Sequence, residues 1–265
     1  MSERCEPLRY RAVLSYVGTD FHGWQMQRNA PRTVQAVLEE ALGRFAGERV
    51  RPVAAGRTDR GVHADGQVVH FDLPHARDPR DVREGVNSIL PWDARLLDVA
   101  RGPARFHARR DALEKEYLYR WSRAEVIAPR DAPFVAPLSG SADAGRMAAA
   151  AAFLPGRRDF GVFTVRRPDG DSVRTLHSVA IEEEGAEIRA RFRGDAFLRG
   201  MVRSISGLLA DIARDRFPLG RMEEILASGD RRLLAQKAQA LGLTLVKVEY
   251  ERELSSASMG SVLKC

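Results

Sequence analysis

The 265-residue chain has only two cysteines, Cys5 and Cys265, one near each end. Neither a metal-type spacing nor a disulfide framework can be built from them, which points to a reducing cytoplasm. No apolar run approaches the roughly 20 residues that a bilayer-spanning helix requires. The opening M-S-E-R-C-E-P-L-R-Y lacks the apolar core of a secretory signal. Nucleotide-binding and metal-binding motifs are also missing. His63 and Asp65 lie close together, but a lone histidine among scattered acids rarely makes a metal site. Neither a membrane, a metal nor a cofactor is therefore expected.

What is present describes a globular protein. Apolar residues make up 44% of the chain, enough for one large domain or two modest ones. Basic residues number 42 against 36 acidic, a net charge of +6, and many of the basic ones are arginine. That balance suits a phosphate-bearing partner without establishing one.

Periodicity sets the expected elements. Tyr10, Ala12, Leu14 and Tyr16 alternate with Arg9, Arg11, Val13 and Ser15, as in a half-buried strand. Val34, Val37, Leu38, Ala41, Leu42 and Phe45 follow helical spacing behind Thr33, a suitable cap. Strands are expected over 50–55 and 67–72, a helix over 80–90 and a strand over 95–99, with Gly102 and Pro103 as a boundary. The order is β-α-β-β-α-β, the split β-α-β pattern. A similar order returns in 104–265. It comprises a strand over 115–123, a helix over 142–154, a hairpin around Glu184-Gly185-Ala186, helices over 198–214 and 221–227, and a strand over 243–250. The expected fold is α+β: two ferredoxin-like units, 1–103 and 104–265, with antiparallel sheets side by side and a cleft between them. The serine-rich run after Leu254 reads as a loose tail.

The chemistry centres on G-R-T-D-R-G-V-H-A-D-G-Q, Gly56 to Gln67. Asp59 sits between Arg57 and Arg60, whose charge would keep it ionised and could also contact phosphate. An ionised, positioned aspartate can act as nucleophile or base. An Asp–Arg pair stabilising a turn gives the same local pattern. F-H-G-W-Q-M-Q, Phe21 to Gln27, offers Trp24 and Gln25 to a base, or Trp24 to a core. F-L-R-G-M-V-R sets Arg199 and Arg203 four apart amid apolar residues, so that Arg203 needs an anion. A structural carboxylate would serve; Asp59 is the sharper choice.

These segments, in this order, resemble the tRNA pseudouridine synthase A family over nearly the whole length. G-R-T-D-R-G-V-H-A matches the family's active-site motif in full, Y-V-G-T-D-F-H-G-W-Q-M-Q its opening segment, and T-V-Q-A-V-L-E-E-A-L the helix that follows. K-E-Y-L-Y-R-W carries its tyrosine at Tyr117, and F-L-R-G-M-V-R its basic residue at Arg203. Departures occur at Val17, where the family often has an acid, at Arg158, where histidine is common, and before Leu241, where prolines are usual. The resemblance implies isomerisation of uridine in the anticodon stem-loop of tRNA, with Asp59 as the catalytic carboxylate. It also implies Tyr117 against the base, Arg203 beside Asp59, and Arg57, Arg60, His63 and Gln25 in support or on RNA. A homodimer gripping one tRNA is implied too. Asp59 could attack C1′, attack C6, or remove a ribose proton. Two competing readings are a non-catalytic RNA binder that displays Y-L-Y-R-W as an exposed aromatic platform, and a glycosidase, for which no second catalytic acid is evident.

Overall fold

The computed structural model describes residues 8–138, 141–164 and 171–251. Cys5, Cys265 and the serine-rich tail lie outside the described residues. The first half runs β1 (Leu8–Tyr16), α1 (Val34–Ala46), β2 (Val53–Ala54), β3 (His63–Leu73), α2 (Pro79–Ile89) and β4 (Ala94–Arg101). The second runs β5 (Glu114–Ser122), β6 (Ala136–Pro137), α3 (Ala144–Ala151), β7 (Gly156–Asp159), β8 (Val173–Glu184), β9 (Glu187–Gly194), α4 (Met201–Ala213), α5 (Arg221–Ser228) and β10 (Leu243–Glu249). The result is a mixed α+β chain with one large, mostly antiparallel sheet.

Local chemistry explains most of these bounds. In β1 the residues Tyr10, Ala12, Leu14 and Tyr16 are buried and the alternate ones are half-buried, as period two requires. The Thr33 hydroxyl accepts from the Ala36 N–H and caps α1, a device worth about 1 kcal/mol. Asp78 caps α2, with Pro79 in its first turn, where the missing N–H costs nothing. The strand expected over 50–55 shrinks to two residues because Pro52 cannot donate to a ladder. The strand expected over 67–72 instead begins at His63, inside the G-V-H-A motif. Two expected helices are shorter. The Asp143 carboxylate accepts from the Gly145 and Arg146 N–H groups and fixes the start of α3, while Arg199 and Gly200 form a turn ahead of α4.

The strand order is β4-β1-β3-β10-β5-β9-β8-β7, with β2 on β3 and β6 on β5. Two antiparallel sheets were expected side by side; the chain joins them edge to edge. Its last strand, β10, lies parallel to the start of β3 (Thr244 opposite His63, Leu245 opposite Ala64) and antiparallel to β5. Helices α1 and α2 pack on each other and α2 on β4, whereas α3 packs on α4 and β8. Tyr119 and Trp121 are fully buried and Tyr117 is nearly so. The opposite face of the same strands carries ion pairs, Arg120 with Glu187, Arg193 with Glu114 and Arg191 with Glu116. Y-L-Y-R-W is therefore not an exposed aromatic platform. Its rings face the core and its charges face outward.

Candidate active site

Asp59 lies in the loop between β2 and β3, and backbone bonds hold that loop from behind. The Thr58 carbonyl accepts from the Trp24 N–H at 3.1 Å, and the Phe21 carbonyl accepts from the Gly61 N–H at 3.2 Å. Gly23, at φ 83°, lies against this loop with no room for a side chain: a Cβ there would stand 2.7 Å from the Thr58 carbonyl oxygen. A buried polar set holds the other side. The Tyr16 and Thr58 hydroxyls are 2.8 Å apart, and Gln67 Nε2 donates to the Gly56 carbonyl at 2.8 Å. Burial pushes the Tyr16 phenol up to about 12, so it stays neutral within this set.

The carboxylate's charge partners come from 140 residues further along. Arg203 Nη1 approaches Asp59 Oδ2 at 3.5 Å, and Arg199 Nε approaches Oδ1 at 3.5 Å. Arg203 and Asp59 are mostly buried, at 18% and 20% side-chain exposure, whereas Arg199 is 80% exposed. Helix α4 is buried on nearly all sides and carries two charges, Arg203 and Asp211. Asp211 is paired with Arg214 and Arg216. Arg203 takes Asp59, as a guanidinium in apolar surroundings requires.

The sequence reading put Arg57 and Arg60 beside Asp59 and offered Asp59 as the partner of Arg203; the Arg203 pair forms, and the two loop arginines make none with Asp59. Both are exposed and neither forms an ion pair among the described residues. The ion-pair partners of Asp59 are Arg199 and Arg203 instead.

A second neighbour comes from the sheet. Leu245 lies opposite Ala64 on one side and Tyr117 on the other, so β10 sets Tyr117 across from the strand that leaves the Asp59 loop. The Tyr117 ring packs edge-on against Phe197, with centroids 5.0 Å apart. Burial, then Tyr16 and the Asp59 charge, raise its phenol well above the ordinary value. Tyr117 is therefore a neutral phenol at physiological pH, a flat ring with a proton to donate and no phenolate base.

The remaining candidates serve the frame. His63 is buried. Its Nδ1 accepts from the Gly18 N–H at 3.0 Å, which leaves Nε2–H to donate to the Pro133 carbonyl at 2.9 Å. Desolvation lowers its pKa and keeps it neutral. Gln25 Nε2 donates to Gln35 Oε1 at 2.7 Å, and Trp24 is buried in the core. Among the described residues no three of His, Cys, Asp and Glu converge as metal ligands. No helix there is long and apolar enough to cross a membrane.

Sequence reasoning missed the segment that ties these parts together. Arg203 Nε donates to the Ala238 carbonyl at 2.9 Å, and the Ala238 N–H donates to the Arg203 carbonyl at 3.0 Å. The Tyr119 hydroxyl donates to the Gln239 carbonyl at 2.8 Å, and Gly61 lies against Ala240. This segment brackets α4, β5 and the Asp59 loop. It also brings Lys237 into the field of Asp59. Burial lowers that ammonium's pKa; Asp59 opposes the shift, and Arg203, Arg199 and Arg231 add to it. The only sequence signal was a lone lysine, Lys237, just ahead of the last strand.

A family model described as tRNA pseudouridine synthase matches residues 12–109 and 149–251, the parts that supply Asp59 and Arg203. A protein named tRNA pseudouridine synthase A from Nitratidesulfovibrio vulgaris (Hildenborough) is 38% identical over 91% of this chain and 96% of its own. Proteins of the same name from Listeria welshimeri and Lactiplantibacillus plantarum are 39% and 38% identical, covering 92% and 95% of this chain and 99% and 98% of theirs. With both charge partners inside the matched residues and relatives aligned nearly end to end, the chain belongs to the tRNA pseudouridine synthase family.

Proposed function

We propose that the protein isomerises uridine to pseudouridine in tRNA, within the anticodon stem-loop, with Asp59 as the catalytic carboxylate. One observation carries this reading: a loop aspartate and an arginine from a buried helix, 144 residues apart, meet 3.5 Å from each other, with the aspartate's charge felt by the buried Tyr117 phenol. The reaction breaks the bond between C1′ and N1, turns the uracil while it stays bound, and joins C1′ to C5; C5 gives up a proton and N1 takes one up. Atoms and electrons balance without an oxidant or an external energy source. Asp59 can take part by bonding to C1′ as N1 leaves, by adding to C6, or by removing a ribose proton.

Arg203 orients the carboxylate, and Tyr117 supports the base and supplies a neutral proton donor. A stacked target base must first leave the helix, at a cost of a few kcal/mol. Arg57 and Arg60, exposed beside Asp59, can offset part of that cost on the displaced backbone. His63 and Gln25 support the walls of the site.

We also read the chain as two split β-α-β units, 1–103 and 104–265. The order β4-β1-β3 with β2 on β3 supports this for the first unit. The working form on this reading is a cytoplasmic homodimer. The test is to incubate the purified protein with unmodified tRNA and map pseudouridine. New pseudouridine confined to the anticodon stem-loop is expected. Binding without conversion after long incubation would leave a non-catalytic binder and remove the proposal.

A further inference from the structure

Lys115 stands two residues before Tyr117 on β5 and faces the same way, about 7 Å further along the strand. It is 9% exposed, yet its ammonium has no hydrogen bond or ion pair among the described residues. A hypothetical Cβ on Gly56 would lie 3.6 Å from Nζ, so the group sits directly against the loop that carries Asp59. The ammonium of a largely buried lysine normally finds a carboxylate.

Here its charged neighbours are mostly cations. Burial, then the guanidiniums of Arg109 and Arg174, lower the Lys115 pKa to about 8, and Asp195 opposes them. Asp195 is already engaged, its Oδ1 accepting from the Thr175 and Ala196 N–H groups. Arg174 donates through Nη1 to the Asp171 and Val173 carbonyls, but its buried Nε has no partner. Arg109 is exposed, and its side chain has no partner among the described residues. Lys115, against the Asp59 loop, thus feels two further cations and one acid, whose Oδ1 is already hydrogen-bonded.

Resting on the function proposed above, we infer that Lys115, Arg109 and Arg174 form a binding site for a backbone phosphate of the RNA, adjacent to the nucleotide that enters at Asp59 and Tyr117. The spacing along β5 separates the base-facing ring from the phosphate-facing ammonium. The phosphate supplies the missing anion and becomes the electrostatic counterpart of the Asp59–Arg203 pair. Lys115, pressed against Gly56, reports its occupancy to the loop.

The test measures tRNA affinity against salt concentration for the wild-type protein, Lys115→Met, Arg109→Ala and the double variant. Each lost phosphate contact lowers the slope of log K against log salt by about 0.7 to 1, which corresponds to roughly fourfold to sevenfold weaker binding at 0.15 M. Because the residues share one phosphate, the double variant should fall little below the singles. Lys115→Met should melt no lower than wild type, since it removes an unpaired buried charge. A wild-type slope retained in Lys115→Met, with tRNA still bound and modified by the wild type, would overturn the subsite and leave the enzyme reading intact. A wild type that neither binds nor modifies tRNA would instead remove the reading on which the subsite rests. If inorganic phosphate at constant ionic strength stabilises only the wild type while the tRNA slopes coincide, the pocket holds a free anion and the inference fails.

Discussion

Replacing Gly23 with alanine should damage turnover through the back of the Asp59 loop. The added methyl group would stand 2.7 Å from the Thr58 carbonyl oxygen and 3.1 Å from both the Arg60 nitrogen and the Asp59 carbonyl carbon. Normal contact requires the loop to retreat by about half an ångström. Gly23 also holds φ 83°, which costs an L-residue about 1–2 kcal/mol, and the overlap adds about 1–3 kcal/mol. Stability should therefore fall by about 2–5 kcal/mol. Misplacement by 1 Å can cost about a hundredfold in rate, so a shift of half that predicts a tenfold to hundredfold loss. The assay is single-turnover pseudouridine formation with saturating enzyme, well below the melting temperature. Gly47→Ala is the matched control: φ is 76° there, but no atom lies within 4 Å of the added carbon. It should lose about 1–2 kcal/mol and keep full turnover. Equal activity in the two variants, or full turnover in Gly23→Ala, would refute the reasoning.

Other perturbations separate the roles. Arg203→Met leaves Asp59 with the exposed Arg199 alone, and turnover should drop more than a hundredfold while tRNA affinity falls less than about tenfold; comparable losses in both would make Arg203 a binding residue only. Tyr16→Phe removes the partner of the Thr58 hydroxyl and should cost about 1 kcal/mol in stability and several-fold in turnover, with no change in tRNA affinity. A pH effect comes from His70, whose pKa burial and the nearby Arg9 and His107 charges lower from 6.5 to about 4. Between those values the unfolded chain binds the extra proton, so stability is complete above pH 6.5 and declines towards pH 4, by about 3 kcal/mol from this group. His70→Gln should flatten unfolding free energy across that window, and an unchanged slope would count against the assignment.

Legibility in the sequence followed the range of each interaction. The Thr33 cap, the alternation through Tyr10 and Tyr16, and the hairpin at Gly185 depend on near neighbours, so composition and spacing report them directly. The Gly56–Gln67 motif marked the candidate loop for the same reason. Partner choice was much less visible. Leu243–Glu249 reads as a strand, but period two tells which face is buried and not that β10 will lie between β3 and β5. Arg157 and its neighbours in β7 are all exposed, so that edge strand has no hydrophobic pattern to betray it. Arg57 and Arg60 were assigned to Asp59 by adjacency alone and form no ion pair with it. The need of Arg203 for an anion pointed to Asp59 correctly, and Arg199 was added by the turn ahead of α4. Lys237 and Lys115 acquire meaning only once α4, β5 and the loop are assembled.

The account turns on Asp59 as a negative charge held beside a neutral phenol, and Asp59→Asn isolates that charge with almost no change in shape. The decisive measurement is one titration and one time course on the same unmodified tRNA. Affinity should stay within about threefold of wild type, and no pseudouridine should accumulate. Pseudouridine formed by the asparagine variant at a rate near that of the wild type would contradict the central claim.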